Sequence, residues 1–94
     1  MEITIQSLHF TARPELTKFI KEKVSKLTHL HDKIITADVY LKLDKSNKTD
    51  NKVCEIKLNL PGKDLFAKRK FQTFEEATNE VIDALQQQIK KLKE

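Results

Sequence analysis

Between Glu2 and Phe10 apolar and polar residues alternate, Ile3 and Ile5 against Glu2, Thr4 and Gln6, until the phase changes at Ser7 to place Leu8 and Phe10. A period of two predicts a half-buried strand, and the phase change predicts a bulge or an irregular end. Pro14 suits the first turn of a helix, where its missing N–H would be unpaired anyway, and Glu15 favours the positive end of the helix dipole. From there Leu16, Phe19, Ile20, Val24, Leu27 and Leu30 gather on one side at about 100° per residue, with Lys18, Lys21, Glu22 and Ser25 opposite. The first helix is therefore expected to run from Pro14 to about His29.

The period returns to two at Ile35. Ile35, Ala37, Val39, Leu41 and Leu43 form one face of a second strand, and Thr36, Asp38, Tyr40 and Lys42 the other. Residues 44–52 contain no apolar side chain and many turn formers, so they read as a hairpin connection. Cys54, Ile56, Leu58 and Leu60 alternate with Glu55, Lys57 and Asn59 in a third strand. Pro61-Gly62 then supplies the fixed φ and the positive φ of a type II turn. A fourth strand, about 64–71, sets Leu65, Ala67 and Phe71 against Phe66, Lys68 and Lys70, with Arg69 in phase with the apolar set. Thr73 and Glu76 have the spacing of a capping box, and Phe74, Ala77, Val81, Leu85, Ile89 and Leu92 make the stripe of a second helix.

The order is β-α-β-β-β-α, an α+β fold expected as one domain over residues 1–94. If the first two strands are neighbours, a right-handed crossover places the first helix on one sheet face. Two hairpins then make the fourth strand parallel to the second. The second helix accordingly returns over the same face in the direction of the first, giving a four-stranded mixed sheet with two parallel helices on one side. This arrangement brings Lys23 and Lys26 toward Lys90, Lys91 and Lys93.

Composition gives that juxtaposition its interest. Of 94 residues 34% are charged, against an average of about 25%. The net charge is only +4, with sixteen Lys and two Arg, and it divides equally between residues 1–45 and 46–94. Any basic surface must be assembled by folding. No apolar run reaches the length of a membrane span and the N-terminus has no signal-peptide pattern, so a cytoplasmic location is expected. A lone Cys54 cannot form an internal disulfide, which fits a reducing compartment.

Catalytic signatures are missing: no phosphate loop, nucleophile elbow, Cys-x-x-Cys or His-Glu-x-x-His occurs, so no enzyme activity and no cofactor are expected. His29 and His31, with His9, Asp32 and Cys54, can be arranged on paper as a metal site, but His-x-His at a helix end lacks the i, i+4 spacing of one-face ligation. Histidines there are expected to cap carbonyls, Cys54 to act as a small core hydrophobe, and Glu75 and Glu76 to answer the helix dipole. A cationic last turn is ordinary stabilisation. Lys23 is different, since it falls inside the apolar half of its helix and must snorkel to the rim. Tyr40 and Phe66 on the outer sheet face are too few for the stacking platform of an RNA recognition motif.

The segments ITIQSLHF, ELTKFIKEKVSKLTHLHDKI, VYLKL, LPGKDLFA and EEATNEVIDALQQQIKKLK, in this order and spacing, resemble the short ribosome hibernation-promoting factors and ribosome-associated translation inhibitors of bacteria and plastids, the sigma-54 modulation protein family. The likeness spans essentially the whole chain. It implies a fold arranged like a double-stranded RNA-binding domain. It also implies binding to ribosomal RNA of the small subunit, between head and body, with reversible block of the mRNA and tRNA channel under stress or in stationary phase. The resemblance carries RNA contacts onto Lys23, Lys26, Lys91 and Lys93, with Lys90 adjacent; Lys18, Lys68, Arg69 and Lys70 are further candidates. Where relatives often have basic residues this chain has Ala84 and Gln87, at i and i+3 of a stripe that ends at Lys91. The alternative is a general structured-RNA-binding module without ribosome preference. The chain is expected to be monomeric when free, without DNA or membrane partners. It stops after the second helix, so ribosome dimerisation by this protein alone is not expected.

Overall fold

A computed structural model describes residues 1–46 and 48–92. Strand β1 (Glu2–Ser7) leads to helix α1 (Pro14–Ser25), which tightens into a 3₁₀ turn, Lys26–His29, before β2 (Thr36–Leu43), β3 (Lys52–Leu60), β4 (Lys63–Phe71) and helix α2 (Phe74–Leu92). The sheet order is β1-β2-β3-β4. β1 pairs parallel to β2 and the two later pairings are antiparallel. The four-stranded mixed sheet and the β-α-β-β-β-α order are those the periodicity predicts.

One core fills the space between sheet and helices. Ala37, Val39 and Leu41 of β2, Cys54, Ile56 and Leu58 of β3, and Leu65 and Ala67 of β4 meet Ile20, Val24 and Leu27 of the first helical segment and Ala77, Val81, Leu85 and Ile89 of α2. The helix-side residues of β2 and β3 recur at every second position because a one-residue slip would turn the whole set to solvent.

Several details depart from the periodic reading. Ile35 is 56% exposed and Leu43 42% exposed, whereas Ile34, outside the strand, is buried. The ladder begins at Thr36 opposite Asn59, so the chain enters the sheet from Ile34, which turns into the core. α1 gives way to the 3₁₀ turn at Lys26, and the Ser25 and Thr28 hydroxyls donate to the carbonyls of Lys21 and Ser25, each at 2.6 Å. Such back-bonding competes with helical geometry. The irregular end of β1 is a left-handed residue, His9, with φ 67°, after which Phe10 stacks on Phe74 with ring centroids 5.2 Å apart. At the start of α2 the capping box is half made. Thr73 Oγ1 accepts from the Glu76 N–H at 3.1 Å, but its own proton goes to Glu76 Oε1 at 3.0 Å.

The hairpin between β3 and β4 has Leu60 opposite Lys63, with Gly62 at φ 73°. A Cβ there would meet nothing within 4 Å, so the glycine is required by backbone conformation and not by space. Gly62→Ala is expected to cost about 1–2 kcal/mol, the penalty for an L-residue in the left-handed region. Urea denaturation should show a lower midpoint at an unchanged m-value.

Candidate nucleic-acid interface

The two helices start side by side. Arg13, Glu15 and Leu16 share a cleft with Phe74 and Glu75, and both helices then run in the same direction over the sheet. At about 1.5 Å per residue, Lys23 lies about 14 Å and Lys26 about 18 Å from the start of α1. On α2, Ala84 and Gln87 lie at about 15 and 20 Å from its start, and Lys90 and Lys91 at about 24 and 26 Å. Folding therefore gathers Lys23, Lys26, Lys90 and Lys91 toward one end of the helix layer. The lysines of α2 nevertheless sit roughly a turn or more beyond those of α1, and Ala84 and Gln87 occupy the level beside Lys23 and Lys26. Lys93 lies outside the described residues.

Lys23 snorkels as expected: it is half-buried and its ammonium lies 5.5 Å from the centroid of the Phe19 ring. This contact orients the cation at the rim of the layer. Lys26, Lys90 and Lys91 are exposed, and Lys18 is exposed on the solvent side of α1. Glu75, Glu76 and Glu80 occupy the opposite end of α2, so the helix layer is acidic where the helices begin and cationic where they end. The dipoles add the negative charge of the free carbonyls at that cationic end, which is where lysines cost the fold least.

Lys68 and Lys70 are not part of this surface. They alternate with Leu65 and Ala67 and point from the far side of the sheet, where Lys70 pairs with Asp44 at 2.8 Å and Lys68 approaches Glu55 at 3.9 Å. Arg69, in register with Cys54, is exposed on edge strand β4 and bonds to the Lys68 carbonyl. Lys68 and Lys70 thus lie on a different face from Ala84 and Gln87, and Arg69 alone keeps the phase of the helix-side residues. Lys42 and Lys45 were not selected by sequence reasoning, yet they border the same far-side cleft as Lys68 and Lys70. The alternation that places Lys42 outward was visible in β2; its cross-strand company was not.

The remaining candidate chemistry does not converge. Among the described residues no cluster of His, Cys, Asp and Glu has the arrangement of a metal site. His31 Nδ1 accepts from the Lys33 N–H at 3.1 Å, so it organises the turn after the 3₁₀ segment and does not cap a helix carbonyl; that role falls to the Leu30 N–H on Leu27 O. Cys54 is fully buried, and burial pushes its thiol up to about 11. It is a protonated core residue at neutral pH, with Thr78 Oγ1 3.7 Å from its sulfur. Among the described residues no helix is long and apolar enough to cross a membrane.

The model of the family described as sigma 54 modulation protein / S30EA ribosomal protein matches residues 3–94. A protein named ribosome hibernation promoting factor, from Acinetobacter guillouiae, is 29% identical over 97 residues, covering 97% of this chain and 86% of that protein. Two solved structures share the fold. A ribosomal subunit interface protein from Coxiella burnetii has a TM-score of 0.88 at 18% identity, covering 99% of this chain and 98% of that one. The N-terminal domain of Thermus thermophilus Protein Y has a TM-score of 0.84 at 20% identity, covering 98% and 99%. The element order, the helix pair on one sheet face and a family match running from Ile3 to the last residue together place this chain in the sigma 54 modulation protein / S30EA ribosomal protein family.

Proposed function

We propose that this protein is a ribosome-associated translation inhibitor that works by occupancy. The cationic end of the helix layer docks on ribosomal RNA phosphates of the small subunit, between head and body. The body of the domain then overlaps the path of messenger and tRNA anticodon stems. Nothing in this action requires a bond to be made or broken. The protein is a cytoplasmic monomer until it binds, and it uses neither cofactor nor membrane.

The observation that carries the reading is the convergence of Lys23, Lys26, Lys90 and Lys91 at one end of the helix layer in a chain of this family. A rigid basic surface binds RNA mainly by releasing counterions, so affinity falls as salt rises. Purified protein should co-sediment with small subunits and whole ribosomes at low salt, dissociate as salt increases, and inhibit translation of a reporter messenger in a cell-free system. Absence of the protein from both ribosomal fractions at low salt removes the proposal.

A general structured-RNA binder is the second reading, favoured by one observation: Ala84 and Gln87 leave uncharged the level of α2 beside Lys23 and Lys26. Competition with unrelated RNA hairpins separates the two. Hairpins that displace the protein from ribosomes at equal nucleotide concentration support the general binder.

A further inference from the structure

The sheet face turned away from the helices has its own cationic cleft. Strand pairing aligns Lys42, Val53 and Lys70 in one row across β2, β3 and β4, and Tyr40, Glu55 and Lys68 in the next. Val53 is only 2% exposed although it stands outside the helix-side core. Its partners in register are Lys42 and Lys70, residues whose methylene stems can cover an apolar neighbour while the charged heads stay at the surface. The cleft has a volume of about 520 Å³ and is bordered by Lys42, Lys45, Lys68, Arg69 and Lys70.

Among the described residues two carboxylates pair with these five cations. Glu55 lies 2.5 Å from Lys42 and 3.9 Å from Lys68, and Asp44 lies 2.8 Å from Lys70. Three positive charges remain in excess, and the side chains of Lys42, Lys68 and Lys70 are 38%, 52% and 40% exposed, so a phosphate oxygen can reach these cations from the solvent side without displacing Glu55 or Asp44. Along β4 the side chains of Phe66, Lys68 and Lys70 leave the same face about 6.6 Å apart. Phe66 is 50% exposed; it stands just outside the cleft, one row beyond Lys68 and opposite Lys57. One ring does not make the platform of an RNA recognition motif, but an aromatic face beside a cationic groove is the basic unit of single-strand binding. An acidic peptide would use the lysines and leave the ring unused.

We propose that this cleft and the Phe66 ring at its border form a second RNA-contact site, in which Lys42, Lys68 and Lys70 hold backbone phosphates of a single-stranded segment and Phe66 stacks on a base, so that the protein bridges two RNA surfaces. The proposal deepens the reading given above in that it takes the partner to be RNA. NMR titration of the protein with a short oligouridylate tests it, with polyglutamate as a parallel probe and ribosome co-sedimentation run on the same samples. Oligouridylate is expected to shift the amides of Lys42, Lys45 and residues 66–70. Phe66→Ala should weaken its binding about fivefold or more, the low end of base–aromatic stacking, and Phe66→Trp should restore it. The double variant Lys68→Gln/Lys70→Gln should lower the salt slope for oligouridylate by about 1.4, as expected for two single-strand phosphate contacts.

Shifts confined to the helix ends, an unchanged slope, or polyglutamate shifting the same amides more strongly than the RNA each overturn the proposal. Wild-type protein that does not co-sediment with ribosomes, while oligouridylate shifts the cleft, removes the ribosome reading and leaves the RNA site standing. Phe66 and Lys68 are solvent-exposed, so circular dichroism is expected to show every variant folded.

Discussion

Reversal of Lys23, Lys26 and Lys91 together to glutamate is expected to abolish ribosome co-sedimentation at about 0.1 M salt, where exposed charges still interact over about 10 Å. Each lost phosphate contact should lower the slope of log affinity against log salt by about 1, and each new carboxylate adds repulsion. Three reversals therefore weaken binding by roughly a hundredfold or more, since about 1 kcal/mol per site already gives that factor. The fold should survive. Glutamate at position 91 faces the negative end of α2 at a cost of about 0.3–1 kcal/mol, and loss of the Lys23 contact with Phe19 costs a further 0.5–1 kcal/mol, roughly. Circular dichroism and thermal melting separate these small losses from unfolding, and the matching glutamine variants separate lost attraction from added repulsion. Gln87→Lys is expected to act in the other direction, restoring a cation at the level of Lys26 and raising the slope by about 1. Binding unaffected by the triple reversal would move the interface to another face.

The second large effect concerns the core. Ile56 is fully buried at the centre of β3, with Val39 opposite it on β2 and Ala67 on β4. Ile56→Ala should cost about 2–5 kcal/mol, because its neighbours are on three sides of a close-packed layer and only partly collapse into the void. A domain of this size has in total about 5–15 kcal/mol, so the variant is expected to melt at least about 10 °C lower. Ile35→Ala is the paired control. Simple alternation assigns Ile35 to the same core face, yet its side chain is mostly in water, and its truncation should change stability by no more than about 0.5 kcal/mol. Similar losses in both variants would contradict the strand entry seen at Ile34.

These two substitutions also mark how far the sequence can be read. Alternation in β2 and β3 and the stripe of α2 place Val39, Ile56, Leu85 and Ile89 in the core, because each obeys a local period that a one-residue slip would reverse. Ile35, Ile34, Val53 and Thr78 were not legible in that way. Their burial depends on where the chain enters the sheet, on lysine stems from neighbouring strands, and on a helix turn that hides a Thr hydroxyl bonded to the Phe74 carbonyl at 2.7 Å. None of these is a property of a single period.

The candidate interface divides similarly. The parallel helices follow from element order, and with them the meeting of Lys23 and Lys26 with Lys90 and Lys91. The axial offset between the two pairs does not, because it depends on α1 being 12 residues long and α2 being 19. Lys68 and Lys70 show the converse. Their phase on β4 already put them opposite Leu65 and Ala67, on the face away from α2, but only the cross-strand register reveals Lys42 and Val53 beside them.

The proposed function seats the cationic end of the helix layer on small-subunit RNA in the channel between head and body. A cryo-electron-microscopy structure of the protein bound to ribosomes tests it most directly. Density for the domain is expected in that channel, with Lys23, Lys26 and Lys91 against RNA phosphates and the messenger path closed. Density elsewhere on the ribosome, or in the channel with the helix ends turned to solvent, would contradict it.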